Sequence, residues 1–228
     1  VVKREEPYIR YAISGNSWYN MSFDYSYTYK NMHFFGEAAI DKRNNKAFVN
    51  GLLVSVDPRV DLSIVQRTIS KGYQSINGNA FTENTFPTNE TGIYAGVSIR
   101  PAIGWKIDAY ADFYKFPWLK FLVDAPSYGK DFLAQVTFTP NRQVEIYTRF
   151  KTETKQANQS DNTTVTNFLV NLPKQNWRTQ ISYKLNTSFT IRNRVELLWF
   201  DNNGVNKANG FLTFFDFMYK PMLKPLSA

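Results

Sequence analysis

Few residues in this chain are of a type that could carry out a reaction. It has one histidine, His33, set between Met32 and Phe34, and no cysteine. Hydrolysis on a β-barrel needs a serine and a histidine with a polar orienter, or aspartate and histidine pairs. A lone histidine at a strand start supplies neither, so His33 reads as a rim residue and the chain as non-enzymatic. Thiol chemistry and disulfide stapling are excluded. No grouping of histidine, cysteine and aspartate has metal-ligand spacing, and Asp57-Pro58 reads as a turn. The glycines form no phosphate loop, so neither a metal nor a cofactor is implied.

The charged residues are more informative, because they recur at every second position. Lys106, Asp108 and Asp112 form one set; Glu145, Arg149 and Lys151 a second; Arg192, Arg194 and Glu196 a third. Asp24 sits in a further polar set running from Asn20 to Lys30. In a strand each set lies on one face. Turned inward, they would line a water-filled channel of weak selectivity. They could equally pair with one another and block it. The signs are mixed on each strand, which favours a filled or narrow lumen over an open pore. A separate aromatic cluster, Tyr114, Phe116, Trp118 and Phe121, opens a long loop. It reads as an interfacial girdle, with carbohydrate or partner stacking as the alternative.

The elements that must position these residues are strands. From Tyr19 to Tyr29 every second residue is apolar or aromatic (Tyr19, Met21, Phe23, Tyr25, Tyr27, Tyr29), and the residues between are polar. The run is about eleven residues long, near the length that a tilted strand needs to cross a bilayer. The same alternation recurs in Trp105 to Phe113, Phe132 to Phe138, Trp177 to Leu185 and Phe189 to Trp199. Tyr19, Phe23, Tyr25, Tyr27, Trp105, Trp118, Trp177 and Trp199 are the expected lipid-facing or girdle positions. From Pro7 to Tyr219 the patterning gives about twelve strands and no sustained helical periodicity. Phe211 to Tyr219 is apolar on both faces, so its inner face is expected to pack on a plug, a loop or a partner.

Connections carry a second period. Short turns at Lys30-Asn31, Asp57 to Arg59, Pro101 to Gly104, Pro140 to Gln143, Asn186 to Ser188 and Lys220 to Pro225 alternate with longer segments. Those are Asp41 to Asn45, Lys71 to Gly92, Lys115 to Lys130, Gln156 to Asn176 and Asp201 to Asn209. Alternating turns and loops describe an antiparallel up-and-down transmembrane β-barrel of the bacterial outer membrane. A soluble sandwich or lipocalin-like barrel has no reason to sort its loops by length. The final KPMLKPLSA reads as a turn leading into another strand, so the barrel domain over 1–228 is expected to be part of a larger one.

Composition agrees. Aromatic residues make up 17% of 228, and no run approaches 18 apolar residues, so no transmembrane helix is expected. The net charge of +8 fits basic rims beside anionic headgroups better than a polyanion footprint, because the basic residues are spread along the chain.

Several stretches carry a family resemblance: FFGEAAIDKRNNKAFVNGLLVSVDPRVDLSIVQR, NAFTENTFP, GIYAGVSIRPAIGWKIDAYADFYKFPWLKFLVDAP, NRQVEIYTRFKTETKQ and QNWRTQISYKL with TIRNRVELLWF. Together, from about Phe34 to Pro225, they resemble the C-terminal barrel region of Bacteroidota outer-membrane proteins with an N-terminal, ComEA-like helix-hairpin-helix module. The resemblance implies a transport or uptake component, with DNA handling at the cell surface. It implies nucleic-acid contact only through a module that these residues do not contain. The remaining expected partners are outer-membrane lipid and lipopolysaccharide, and other outer-membrane subunits. A structural subunit of a larger outer-membrane complex is the alternative.

Overall fold

The computed structural model describes residues 6–159, 167–202 and 206–220. The protein is all-β, and among the described residues eleven strands form one sheet in which every strand pairs antiparallel with its sequence neighbours. They are β1 (Asn20–Tyr29), β2 (Met32–Asp41), β3 (Lys46–Asp57), β4 (Val60–Ile69), β5 (Glu90–Ile99), β6 (Trp105–Phe116), β7 (Ser127–Phe138), β8 (Val144–Asn158), β9 (Leu169–Lys184), β10 (Phe189–Asn202) and β11 (Asn206–Tyr219). The strand order is the chain order, so the topology is an up-and-down meander whose end strands, β1 and β11, do not pair with each other. Among the described residues no helix is long and apolar enough to cross a membrane.

Eleven strands stand where the patterning gives about twelve, because Pro7–Ile9 is one turn of 3-10 helix. Pro7 supplies no amide hydrogen to a ladder, which suits it to that turn. The alternation of connection lengths is also looser than expected. The β2–β3 connection is a tight turn, held by the Asp41 carboxylate, which accepts from the Arg43 and Asn45 amides at 2.8 and 3.0 Å. β10 and β11 extend until Asn202 pairs with Asn206, which closes the expected Asp201 to Asn209 loop into a hairpin. The genuinely long connections are β4–β5, β6–β7 and β8–β9, all at one end of the sheet, here termed the loop end. The other is the turn end. Residues 160–166 of the β8–β9 connection and 221–228 of the terminal KPMLKPLSA lie outside the described residues.

Pairing register fixes which residues share a face. One row runs through all eleven strands: Tyr29, Met32, Val54, Leu62, Val97, Ala109, Ala134, Phe150, Trp177, Leu197 and Phe211. None is polar in more than a ring hydroxyl or indole, and the larger ones are exposed. Polar groups on this face pair among themselves. The Tyr25 hydroxyl donates to Asn50, Asn50 to Gln66, and Gln66 to Thr68, while the Trp177 indole donates to Thr148 at 2.8 Å. Charge on this face, among the described strands, is confined to Lys46, Lys115, Lys130, Asp201 and Lys207, all toward the loop end.

The opposite face holds the buried residues. Arg67, Glu90, Asp112 and Asp131 are at most 3% exposed. A single sheet with no second layer can bury such groups only by curling around them and folding its own connection over them. The connection that does so is β4–β5. Its Tyr73 ring packs with Ala47 and Ile69, and burial pushes the Tyr73 hydroxyl pKa up. The Gln74 amide donates to Asp41, and its carbonyl accepts from Asn20 at 2.7 Å.

Candidate functional site: the charged inner face

The centre of the inner face is Arg67. Its Nε donates to Glu90 at 2.5 Å, and its two terminal nitrogens donate to both oxygens of Asp112 at 2.9 and 3.0 Å. Planar bidentate pairing of this kind fixes a guanidinium in both position and plane. Gly92 lies directly across from Arg67, and a Cβ there would stand 2.7 Å from the Arg67 Cζ. The missing side chain is what lets the guanidinium lie flat. Gly129 does the same for the Tyr114 ring, which a Cβ would meet at 2.4 Å.

Glu90 ties this centre to the β4–β5 connection. Its oxygens accept from the backbone amides of Glu83 at 3.0 Å and Asn84 at 2.8 Å. Phe81, in the same connection, lies with its ring centroid 5.5 Å from the Arg67 guanidinium and packs edge-on against Tyr94. The Glu83 carboxylate meets Lys155 of β8 at 3.3 Å. One connection is thus folded onto the inner face and held from β1 to β8. A carboxylate that accepts several donors in a low dielectric is held far more strongly than a surface pair.

Charges continue around the sheet in pairs. Asp131 takes Lys151 at 2.8 Å and the Tyr110 hydroxyl at 3.2 Å. Arg178 forks onto Glu196 at 2.8 and 3.0 Å, and Asn176 donates to the same carboxylate. Arg194 donates through two nitrogens to Gln180 and lies 4.8 Å over the Phe214 ring. That cation–π contact covers Phe214 alone of the second apolar face expected of β11, on which Leu212 is exposed. Lys106 meets Asp108 at 2.8 Å, both partly exposed. Arg149 stands between Gln135 and Arg178 in register, and its buried Nε has no partner. Glu145 pairs in register with Ser182, and Ser182 with Arg192. Asp24 shares the Arg67 face through Glu37 and Val49, but β1 is exposed throughout.

Of the residues expected to face lipid, Tyr19, Phe23, Tyr25, Tyr27, Trp105, Trp177 and Trp199 are on or beside the apolar face and exposed. Trp118 is elsewhere. It lies in the β6–β7 connection with its ring edge-on to Tyr11, and its indole donates to the Pro7 carbonyl at 3.1 Å. Tyr114 and Phe116, grouped with it in the sequence, are buried on the inner face. Both have the parity of Asp112 rather than of Phe113, a signal present in the sequence. Arg67 also has the polar parity of its strand. Its partner Glu90 has no such mark, because the fold of residues 70–89 follows no period. Among the described residues no group of three metal-ligating side chains occurs.

Toward the turn end the inner face opens into a cleft of about 480 Å³, lined by Thr28, His33, Asp61, Tyr94, Asp108 and Tyr110. His33 accepts from or donates to Thr28 at 2.7 Å and stacks on Phe35, with no carboxylate partner among the described residues. The inner face is thus filled at Arg67 and open toward the turn end.

No family model matches the chain, and no curated protein does. Among solved structures the chain is similar to one described as the NanC porin in a rhombohedral crystal form, at 13% identity and a TM-score of 0.41, over 91% of this chain and 96% of that one.

Proposed function

We propose that this chain is the wall of an outer-membrane β-barrel that passes small polar solutes through a narrow, charge-lined interior, without catalysis. The observation that carries the reading is the apolar row crossing all eleven described strands, opposed on most of them by the face that holds the charged groups. An exposed apolar face of that extent has no place in water and suits a hydrocarbon layer. The lysines on the outer face of the described strands lie toward the loop end, where they would meet the phosphates of lipopolysaccharide. The paired charges and the folded β4–β5 connection support a restricted passage rather than a wide one. Reconstitution in planar bilayers tests this. Discrete openings of small conductance are expected, and a silent barrel in repeated, verified insertions refutes it.

The Arg67 centre also favours a second reading, a structural barrel subunit in a larger outer-membrane assembly, since a pinned interior serves support as well as transport. A silent barrel that co-purifies with other outer-membrane subunits is the outcome that selects it. DNA handling rests on the family resemblance alone. Duplex binding by the full gene product, lost on removal of a helix-hairpin-helix module, is its test.

A further inference from the structure

A second cleft, of about 480 Å³, opens at the loop end between the N-terminal segment, the β4–β5 connection and the β6–β7 connection. It lies outside the strands, in the aqueous layer of the proposed orientation, and the passage through the barrel makes no use of it. Two ammonium groups border it. Lys71 lies 4.7 Å from the Trp118 ring centroid and 5.8 Å from that of Tyr11, and Lys120 lies 3.4 Å from that of Phe116. Neither has a carboxylate or hydrogen-bond partner among the described residues. That is unusual in a chain whose inner-face cations are mostly paired with acids or amides. Phe86 and Phe121, also at the cleft, are 66% and 67% exposed.

Unpaired cations stacked on aromatic rings, with Phe86 and Phe121 open at the same cleft, suit an anion that also presents an apolar surface. The ring geometry narrows the choice. Tyr11 with Trp118, and Tyr8 with Phe121, are set edge-on at 70° and 61°, so no parallel slot exists for a flat base. Gln74, Asn84 and Thr88 line the same cleft with their amide nitrogens engaged on Thr88, which leaves the two amide oxygens and the Thr88 hydroxyl proton to face a polyhydroxylated ligand. A volume of a few hundred cubic ångströms is that of small-ligand sites.

We propose that this cleft binds an anionic sugar, its ring against the aromatic faces and its carboxylate or phosphate between Lys71 and Lys120. The cleft is held open by contacts that do not use these lysines. Asn89 bonds the Trp118 backbone in both directions, at 2.8 and 2.9 Å, and Arg43 holds the N-terminal segment through Ser14 at 2.7 Å. Burial lowers the Lys120 pKa to about 8, with Glu90 and Glu83 opposing and Lys155 assisting. Anion affinity should therefore fall as pH rises past that value.

The experiment is titration of the folded chain in detergent micelles, followed by tryptophan fluorescence and calorimetry. The probes are glucuronic acid, glucose 6-phosphate, glucose, inorganic phosphate and AMP. Either anionic sugar should bind at least about tenfold more tightly than glucose or inorganic phosphate, which is about 1.4 kcal/mol. The stronger of the two identifies the anionic group. Lys71→Met and Lys120→Met should each lower that affinity with the fold retained by circular dichroism, and Lys120→Met should flatten the pH dependence. Trp118→Phe should remove most of the fluorescence change while leaving calorimetric binding. Neither anionic sugar binding more tightly than glucose, AMP binding more tightly than both anionic sugars, no binding of either anionic sugar by the folded chain, or full affinity in both lysine variants would each overturn the proposal. None of these outcomes bears on conductance, so the barrel reading stands or falls separately.

Discussion

Replacing Arg67 by methionine removes one guanidinium and strands two carboxylates. Glu90 loses the 2.5 Å bond but keeps the two amides of the β4–β5 connection. Asp112 loses both of its arginine bonds and is 3% exposed. The larger share of the penalty therefore falls on Asp112. Breaking a buried pair by removing one partner costs about 3–5 kcal/mol. That is a large part of the total stability of a typical domain, about 5–15 kcal/mol. The cheapest relief is to let water in. Phe81 loses the cation beneath it, and Glu90 gains from hydration, so the β4–β5 connection should lift off the inner face. Two readings follow from one variant. The urea midpoint of the chain in vesicles should drop by the equivalent of about 3 kcal/mol or more, and single-channel conductance should rise. Adding Asp112→Asn and Glu90→Gln removes the stranded charges and should restore most of the stability, but not the low conductance. A loss below about 1 kcal/mol, with unchanged conductance, would refute the claim that Arg67 pins the connection.

Gly92→Ala should destabilise by about 1–3 kcal/mol, as overpacking does, and the cost should shrink in an Arg67→Met background because the clash is with that guanidinium; a double-mutant cycle in urea measures it. Trp177→Arg on the apolar row should cost about 2–4 kcal/mol in lipid, seen as a lower urea midpoint and poor membrane insertion. Asp124 is held below the usual carboxylate range by Asn167 and Asn158. Its folded pKa is depressed, so its stabilising contribution is present above the ordinary carboxylate value and is lost as pH falls through the lowered one. Amide exchange at Asp124 should accelerate only in that acidic window, and Asp124→Asn should abolish the step.

What could be read from the sequence was parity. The side chains of a strand alternate, so Lys106, Asp108 and Asp112 had to share a face opposite Trp105, Ile107 and Phe113. Antiparallel pairing then carried that split across the sheet. What could not be read was anything carried by a connection. Glu90 reaches Arg67 across twenty-three residues, and neither the bond nor the inward fold of 70–89 leaves a period in the chain. Trp118 misled for the same reason, because the alternation of β6 stops at Phe116 while the aromatic run continues. The hairpins at Asp41 and Asn202 look like loops in the sequence because polar residues mark both, and the difference lies in side-chain capping and strand extension.

The apolar row also fixes how the strands lean. On β1 it stands at the turn end, at Tyr29; on β7, at Ala134, it is four residues above that end, and on β11, at Phe211, eight. Eight residues of climb at about 3.3 Å each, over ten sideways steps of about 4.8 Å, is a slope of about 30°. At that slope the ten residues of β1 rise about 29 Å, close to the thickness of a hydrocarbon layer. The sixteen of β9 rise about 46 Å. With the short turns level, that excess of about 17 Å stands at the loop end. The loop-end rim of the sheet is therefore slanted like a cut quill, low along β1 to β5 and high along β8 to β11, and the β4–β5 connection sits at the low lip.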